Sequence, residues 1–178
     1  MILTGNQIKQ EILNKNIFIE NYNESSLQPN NYDFHLGRDL IKYSSGILNE
    51  NNQTINGEEI FLEDEGYLLK PDELYLGITE EATASNTYTQ LLFGDNSLAS
   101  LGIWVQITAP MAHVGSKIRW TLEIRCVKPV RVYPGMKFGK ICFLVNEGKI
   151  NPYGDPVFGD SGRYLENKIS HSLINTVI

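Results

Sequence analysis

A mainly β fold, a sandwich or distorted barrel with one short N-terminal helix, is what this 178-residue sequence predicts. Three observations carry that expectation. Short apolar runs are punctuated by turn signals at Gly66, Pro71-Asp72, Gly77 and Tyr133-Pro134-Gly135. From Lys117 to Cys126 the residues alternate strictly, with Ile118, Trp120, Leu122, Ile124 and Cys126 on one side and Lys117, Arg119, Thr121, Glu123 and Arg125 on the other. Helical spacing is found in one short stretch near the N-terminus.

That stretch opens with Thr4-Gly5-Asn6-Gln7, which has the form of a capping box. Ile8, Ile12 and Leu13 follow at helical spacing, and Asn14 to Asn16 end the helix. Ile17 to Glu20 reads as a strand. Leu27-Gln28-Pro29-Asn30-Asn31 is a turn into a second strand, where Tyr32, Phe34 and Leu36 alternate with Asp33 and His35. Residues 42–59 are rich in Asn, Ser and Gly and are expected to form a surface loop or loose hairpin. Several short strands then fill 59–81, and a further one covers 88–93. Beyond the central region, 127–145 reads as strand, turn, strand. No internal repeat is visible.

The composition is that of an ordinary globular chain, 42% hydrophobic and 20% charged. No apolar run approaches the ~18 residues that a membrane-crossing helix needs, and Met1-Ile2-Leu3-Thr4-Gly5 lacks the basic and apolar regions of a signal peptide. A cytoplasmic location without membrane association is therefore expected. A net charge of −6 argues against a surface built to coat nucleic acid. Cys126 and Cys142 form no Cys-x-x-Cys pair, so no metal site is expected and both read as small buried apolar side chains. One domain spanning 1–178 is expected, with 146–178, rich in Gly and Pro, as an extended segment over the surface or onto a neighbouring subunit. The Asn-rich composition suggests an AT-rich genome, such as that of a phage or a low-GC bacterium.

The chemistry concentrates in 91–126. Gly94-Asp95-Asn96-Ser97 lies between apolar clusters, so the chain turns sharply and exposes backbone N–H groups, an arrangement that can hold an anion. Asp95 and Asn96 can equally cap the turn itself. Glu123 projects from a strand on its polar face, where the reading from the residues alone is a solvated side chain paired with Arg119 or Arg125. His113 is open to two readings, a titrating or ligand-contacting group and a turn histidine satisfied by a backbone carbonyl.

The segments Leu27 to Gly37, Tyr67 to Gly77, Gly94 to Gly102, Thr121-Leu122-Glu123, Tyr133-Pro134-Gly135-Met136 and Gly162-Arg163-Tyr164 together resemble the dCTP deaminase and dUTPase superfamily, most nearly the dCTP deaminases. They fall in the family's order and cover nearly the whole chain. The resemblance implies a distorted jelly roll or β-barrel of the dUTPase-like type, assembled as a homotrimer with nucleotide sites between subunits. It implies zinc-free conversion of dCTP to dUTP, with no tightly bound cofactor and with magnesium accompanying the nucleotide polyphosphate. Glu123 falls on the family's general base and Ala109 on a small residue beside it. Tyr153 and Arg163 match the aromatic and basic residues that the family's C-terminal segment folds over the nucleotide, and Asn167 stands where a glutamine is usual.

The central turn departs from the pattern. Where the family has Gly-Arg-Ser-Ser-Leu-Ala-Arg-Leu-Gly, this chain has Gly94-Asp95-Asn96-Ser97-Leu98-Ala99-Ser100-Leu101-Gly102, so both arginines are lost. His113 replaces the family's sugar-contacting aspartate. A carboxylate ~5 Å from one phosphate charge costs about 3 kcal/mol at an effective dielectric of ~20. The expected function is accordingly that of a nucleotide-binding or nucleotide-sequestering relative with lost or altered deaminase chemistry, using Asp95, Asn96, Ser97, Ser100, Ala109, His113, Tyr153, Arg163 and Asn167 for the ligand. The alternative is an active deaminase, possibly also cleaving dUTP, with Glu123 as base. A third reading is a trimeric scaffold with no small ligand.

Overall fold

Strict alternation from Lys117 to Cys126 does produce a strand, and the rest of the chain is laid out around it. The computed structural model describes residues 1–44, 57–106 and 108–151. In chain order the described elements are α1 (Gly5–Leu13), β1 (Ile17–Ile19), a 3-10 turn (Glu24–Ser26), β2 (Tyr32–Tyr43), β3 (Gly57–Phe61), β4 (Tyr67–Leu69), β5 (Tyr75–Ser85), β6 (Tyr88–Gly94), α2 (Asn96–Ser100), β7 (Ile103–Trp104), β8 (Met111–Ala112), β9 (Lys117–Cys126), β10 (Val130–Val132) and β11 (Lys137–Val145). The fold is mainly β, as the sequence predicts.

Nine strands make one antiparallel sheet in the order β7-β9-β5-β2-β11-β6-β8, with β1 added to β5 and β3 to β2; β10 and β4 pair separately. Register shifts between Leu36 and Leu40 in β2, between Ile78 and Ala82 in β5, and between Lys137 and Gly139 in β11 bend the sheet around its core. That core is filled by Tyr32, Phe34 and Leu36 from β2, Trp120, Leu122 and Ile124 from β9, Phe138, Ile141 and Phe143 from β11, and Ile8 from α1. Burial along β9 follows the alternation of its sequence, so Glu123 is held on the outer face by apolar neighbours that anchor the inner one.

Four local expectations are modified. Thr4 caps α1 by accepting the Gln7 N–H at 3.3 Å, but the Gln7 side chain donates to Glu11 at 2.8 Å instead of closing the box. Gly77 does not break a strand. It lies inside β5, where an added Cβ would stand 2.8 Å from Ile124 Cδ1, so the glycine serves close packing between strands. Asp33 sits on the polar side of β2 yet is only 5% exposed. Its carboxylate accepts from Gln28 Nε2 at 2.9 Å and Asn31 Nδ2 at 3.1 Å and pairs with Lys137 at 2.9 Å, which compensates its burial. The predicted loop at 42–59 has strand at both ends, since β2 extends to Tyr43 and pairs with β3; residues 45–56 lie outside the described residues. Both cysteines are buried, and that burial raises their thiol pKa values.

Candidate functional site

The turn after β6 becomes the short helix α2. Asp95 occupies its N-cap position without a side-chain cap bond, because its carboxylate turns toward Lys137 Nζ, 3.4 Å away. Lys137 thus bridges Asp33 and Asp95, and its pKa is raised by the hydrogen bond and charge of Asp33 and then by Asp95. Two strands and the turn are tied together by one cation. Gly102, at φ +72°, ends α2 and sends the chain into β7.

β7 pairs with β9 so that Ile103 faces Cys126 and Trp104 faces Arg125. The Glu123 N–H then donates to the Val105 carbonyl at 3.1 Å, which holds Gln106 beside this end of β9. Val105 is buried while Trp104 is exposed and Gln106 half-buried, so Trp104 and Gln106 share the outer face with Glu123 and Arg125. On the other side of β9, Glu123 is the register partner of Leu76, which belongs to a small buried cluster with Ile41 and Tyr43. Burial raises the pKa of Tyr43 and the Glu123 charge raises it further. Glu123 is therefore a half-buried carboxylate on a rigid strand, with an apolar wall on one flank and polar groups on the other.

Two cavities adjoin this face. One, of about 530 Å³, lies between α2 and β7 and takes in Asp95, Asn96, Ala99, Trp104, Gln106 and Thr108. The other, of about 470 Å³, is lined by Pro71, Asp72, Trp104, Gln106, Arg125, Cys126 and Val127. Trp104 and Gln106 belong to both.

The predicted residues are distributed as follows. Asp95 and Asn96 line the first cavity. Ser97 and Ser100 are exposed on α2, and Ser100 Oγ donates to the Asn96 carbonyl at 3.0 Å. Ala109 is exposed just before β8. His113 is exposed in the β8–β9 turn, where its carbonyl accepts both the N–H and the Oγ–H of Ser116. Neither Ala109 nor His113 lines either cavity. Tyr153, Arg163 and Asn167 lie outside the described residues. Among the other cations of β9, Arg119 bonds to Glu20 and to the Glu80 carbonyl, and Lys117 stands 4.4 Å over the Phe18 ring. Both are at the other end of β9 from Arg125.

Sequence reasoning passed over Trp104, Gln106 and Lys137. The signal for Trp104 was available, as a large aromatic two residues beyond the helix-ending Gly102, but its exposure depends on the β7–β9 register. The role of Lys137 depends on β2 and β6 both pairing with β11, which no local pattern reveals.

A model of the dCTP deaminase-like family matches residues 2–145. The chain belongs to that family. Among similar proteins, one from Cytophaga hutchinsonii is 39% identical over 168 residues, one from Clostridium acetobutylicum 38% over 170 and one from Hathewaya histolytica 37% over 167. Each match covers 94% of this chain and 92% of the relative, and each relative is named dCTP deaminase, dUMP-forming. The fold is shared with the 2'-deoxycytidine 5'-triphosphate deaminase of Agrobacterium tumefaciens, at a TM-score of 0.66 and 17% identity. That match covers 84% of this chain and 49% of the solved one, so the chain spans about half the length of that structure. The mainly β, dCTP deaminase-like fold read from the sequence motifs is thereby borne out. No helix among the described residues is long and apolar enough to cross a membrane.

Proposed function

We propose that this family member binds a pyrimidine nucleotide beside α2 and β9, with the deaminase chemistry named for its relatives lost or altered. The observation that carries the reading is the charge of the cavity at the turn. Among its described lining residues the only ionisable side chain is Asp95, and no arginine or lysine is present. Lys137 partly neutralises Asp95, so the turn is less repulsive than the sequence suggests. It still presents no cation to a triphosphate, whose several charges need pairing.

The second reading, an active deaminase, is supported by Glu123 and by the names of the relatives, dCTP deaminase, dUMP-forming. A carboxylate held half-buried on a rigid strand, as the register partner of Leu76 in the small apolar cluster, can take a proton from an attacking water and return one to a leaving amine, although Glu123 itself lines neither cavity. No step in either reading is routed through a metal. Among the described residues no group of three or more His, Cys, Asp or Glu side chains is placed to hold one, and magnesium would enter with the phosphates of a polyphosphate ligand. A homotrimer with sites between subunits belongs to the same proposal.

The test is to incubate the protein with dCTP, dUTP, dCMP and dUMP in the presence of magnesium, separate it by filtration, denature it and chromatograph both fractions. Intact nucleotide released only on denaturation supports the binder. Conversion of dCTP to a uracil nucleotide, abolished in Glu123→Gln, establishes the deaminase instead. If no nucleotide is retained or converted, both readings fall and the scaffold stands.

A further inference from the structure

The wall shared by the two cavities carries features that the turn and Glu123 do not explain. Trp104 is 55% exposed although it lies in a paired strand, whereas the chain's other tryptophan, Trp120, is 4% exposed and donates its indole N–H to Thr83 Oγ1 at 3.0 Å. An indole left open at the junction of two cavities presents a flat π surface to whatever enters either one. Its register partner Arg125 is exposed and makes no ion pair among the described residues, whereas Arg38, Lys117, Arg119 and Lys137 are each committed to an acid or an aromatic ring. Gln106, on the same face, has a buried Oε1 with no hydrogen-bond partner. An amide in that state gains a bond by rotating its oxygen toward a donor on an incoming ligand.

We infer that Trp104, Gln106 and Arg125 form a subsite for a nucleoside monophosphate, with the base stacked on Trp104, its edge bonded by Gln106, and the phosphate paired with Arg125. The inference rests on the nucleotide-binding reading above and narrows its ligand. Stacking on an exposed tryptophan is tolerant of base identity, so the amide of Gln106 supplies the discrimination. Charge sets the phosphate number. Arg125 is one cation, and Asp72 lines the same cavity, so a single phosphate, paired by Arg125, leaves far less charge unpaired than a triphosphate does.

The two tryptophans make the test internally controlled. Titrating the full chain with deoxyuridine, dUMP, dCMP and dCTP, while following tryptophan emission and retention on a filter, separates the exposed indole from the buried one. The expected result is saturable quenching of the exposed component by the monophosphates, lost in Trp104→Phe, where only Trp120 emits. Trp104→Ala should weaken monophosphate retention roughly 10- to 100-fold, and Arg125→Gln should bring monophosphate affinity down to that of the nucleoside. Trp120 emission reports that each variant is folded. Retention of monophosphate without any change at Trp104, or equal retention by Trp104→Ala, overturns the subsite and leaves the nucleotide-binding reading intact. Tighter binding of dCTP than of dUMP with the same quenching overturns the monophosphate assignment. No retention of any nucleotide by the wild-type protein removes the broader reading and this one together.

Discussion

Replacing Gln90 by Met should stabilise the protein. Gln90 lies in β6, is 0% exposed, and neither its Nε2 nor its Oε1 has a hydrogen-bond partner. Its register partners are Ala112 of β8 and Phe143 of β11, both buried, so the amide is enclosed by apolar side chains. Each unsatisfied buried polar group costs about 1–3 kcal/mol, and methionine has nearly the same length and volume without either group. Allowing for imperfect repacking, the gain should be about 2 kcal/mol. For a chain of this size that is a rise in Tm of roughly 4–8 °C. Thermal unfolding of both proteins at one concentration, so that any assembly contributes equally, measures it. An unchanged or lower Tm would refute the reasoning and mean that an internal water, or a contact made in the assembled protein, satisfies the amide.

Two further expectations concern ionised groups. Glu11 in α1 is buried and accepts bonds from Asn16 Nδ2 at 2.6 Å and Gln7 Nε2 at 2.8 Å; the Asn16 bond above all lowers its pKa from 4.5. The folded carboxylate binds its proton later than the unfolded one as pH falls. Its stabilisation is therefore present above about pH 4.5 and lost as pH drops through the depressed value. Urea midpoints of wild type and Glu11→Gln should differ most near neutrality and converge in acid, and a gap independent of pH would contradict this. Lys137→Met should destabilise by about 2 kcal/mol, because it removes the charge partner of the buried Asp33 carboxylate while Gln28 and Asn31 remain. Chemical denaturation measures the loss, and a stability equal to wild type would show that the two amides suffice.

The β architecture was legible because period-2 alternation and turn residues are local signals. Lys117 to Cys126 showed its inner and outer faces without any knowledge of its neighbours, and the outward placement of Glu123 followed from that alone. The turn at Gly94 was legible as a turn but not as a helix, since the five residues of α2 are too few to show a period. Gly77 misled because a glycine that breaks a strand and a glycine that admits a neighbouring Ile124 look the same in sequence. Asp33 misled for a related reason. Its burial follows from partners at Gln28, Asn31 and Lys137, and the last of these is more than a hundred residues away. The outer face around Trp104 was illegible because it is assembled from β7 and β9, and a two-residue strand leaves almost no pattern.

Lys137 changes what limits phosphate binding at the turn. From sequence, Asp95 is an acid standing where the family has an arginine, and repulsion of about 3 kcal/mol per nearby phosphate charge follows. In the folded protein that acid is 3.4 Å from a lysine already shared with Asp33, and its side chain is only 14% exposed. The cluster of two carboxylates and one ammonium still sums to one negative charge, so the repulsion is reduced but not reversed. What the turn lacks is attraction. The nearest cation among the described residues lining either cavity is Arg125, on the far side of Trp104. A ligand that meets this surface is thus drawn toward β9, the strand that carries Glu123, and away from α2.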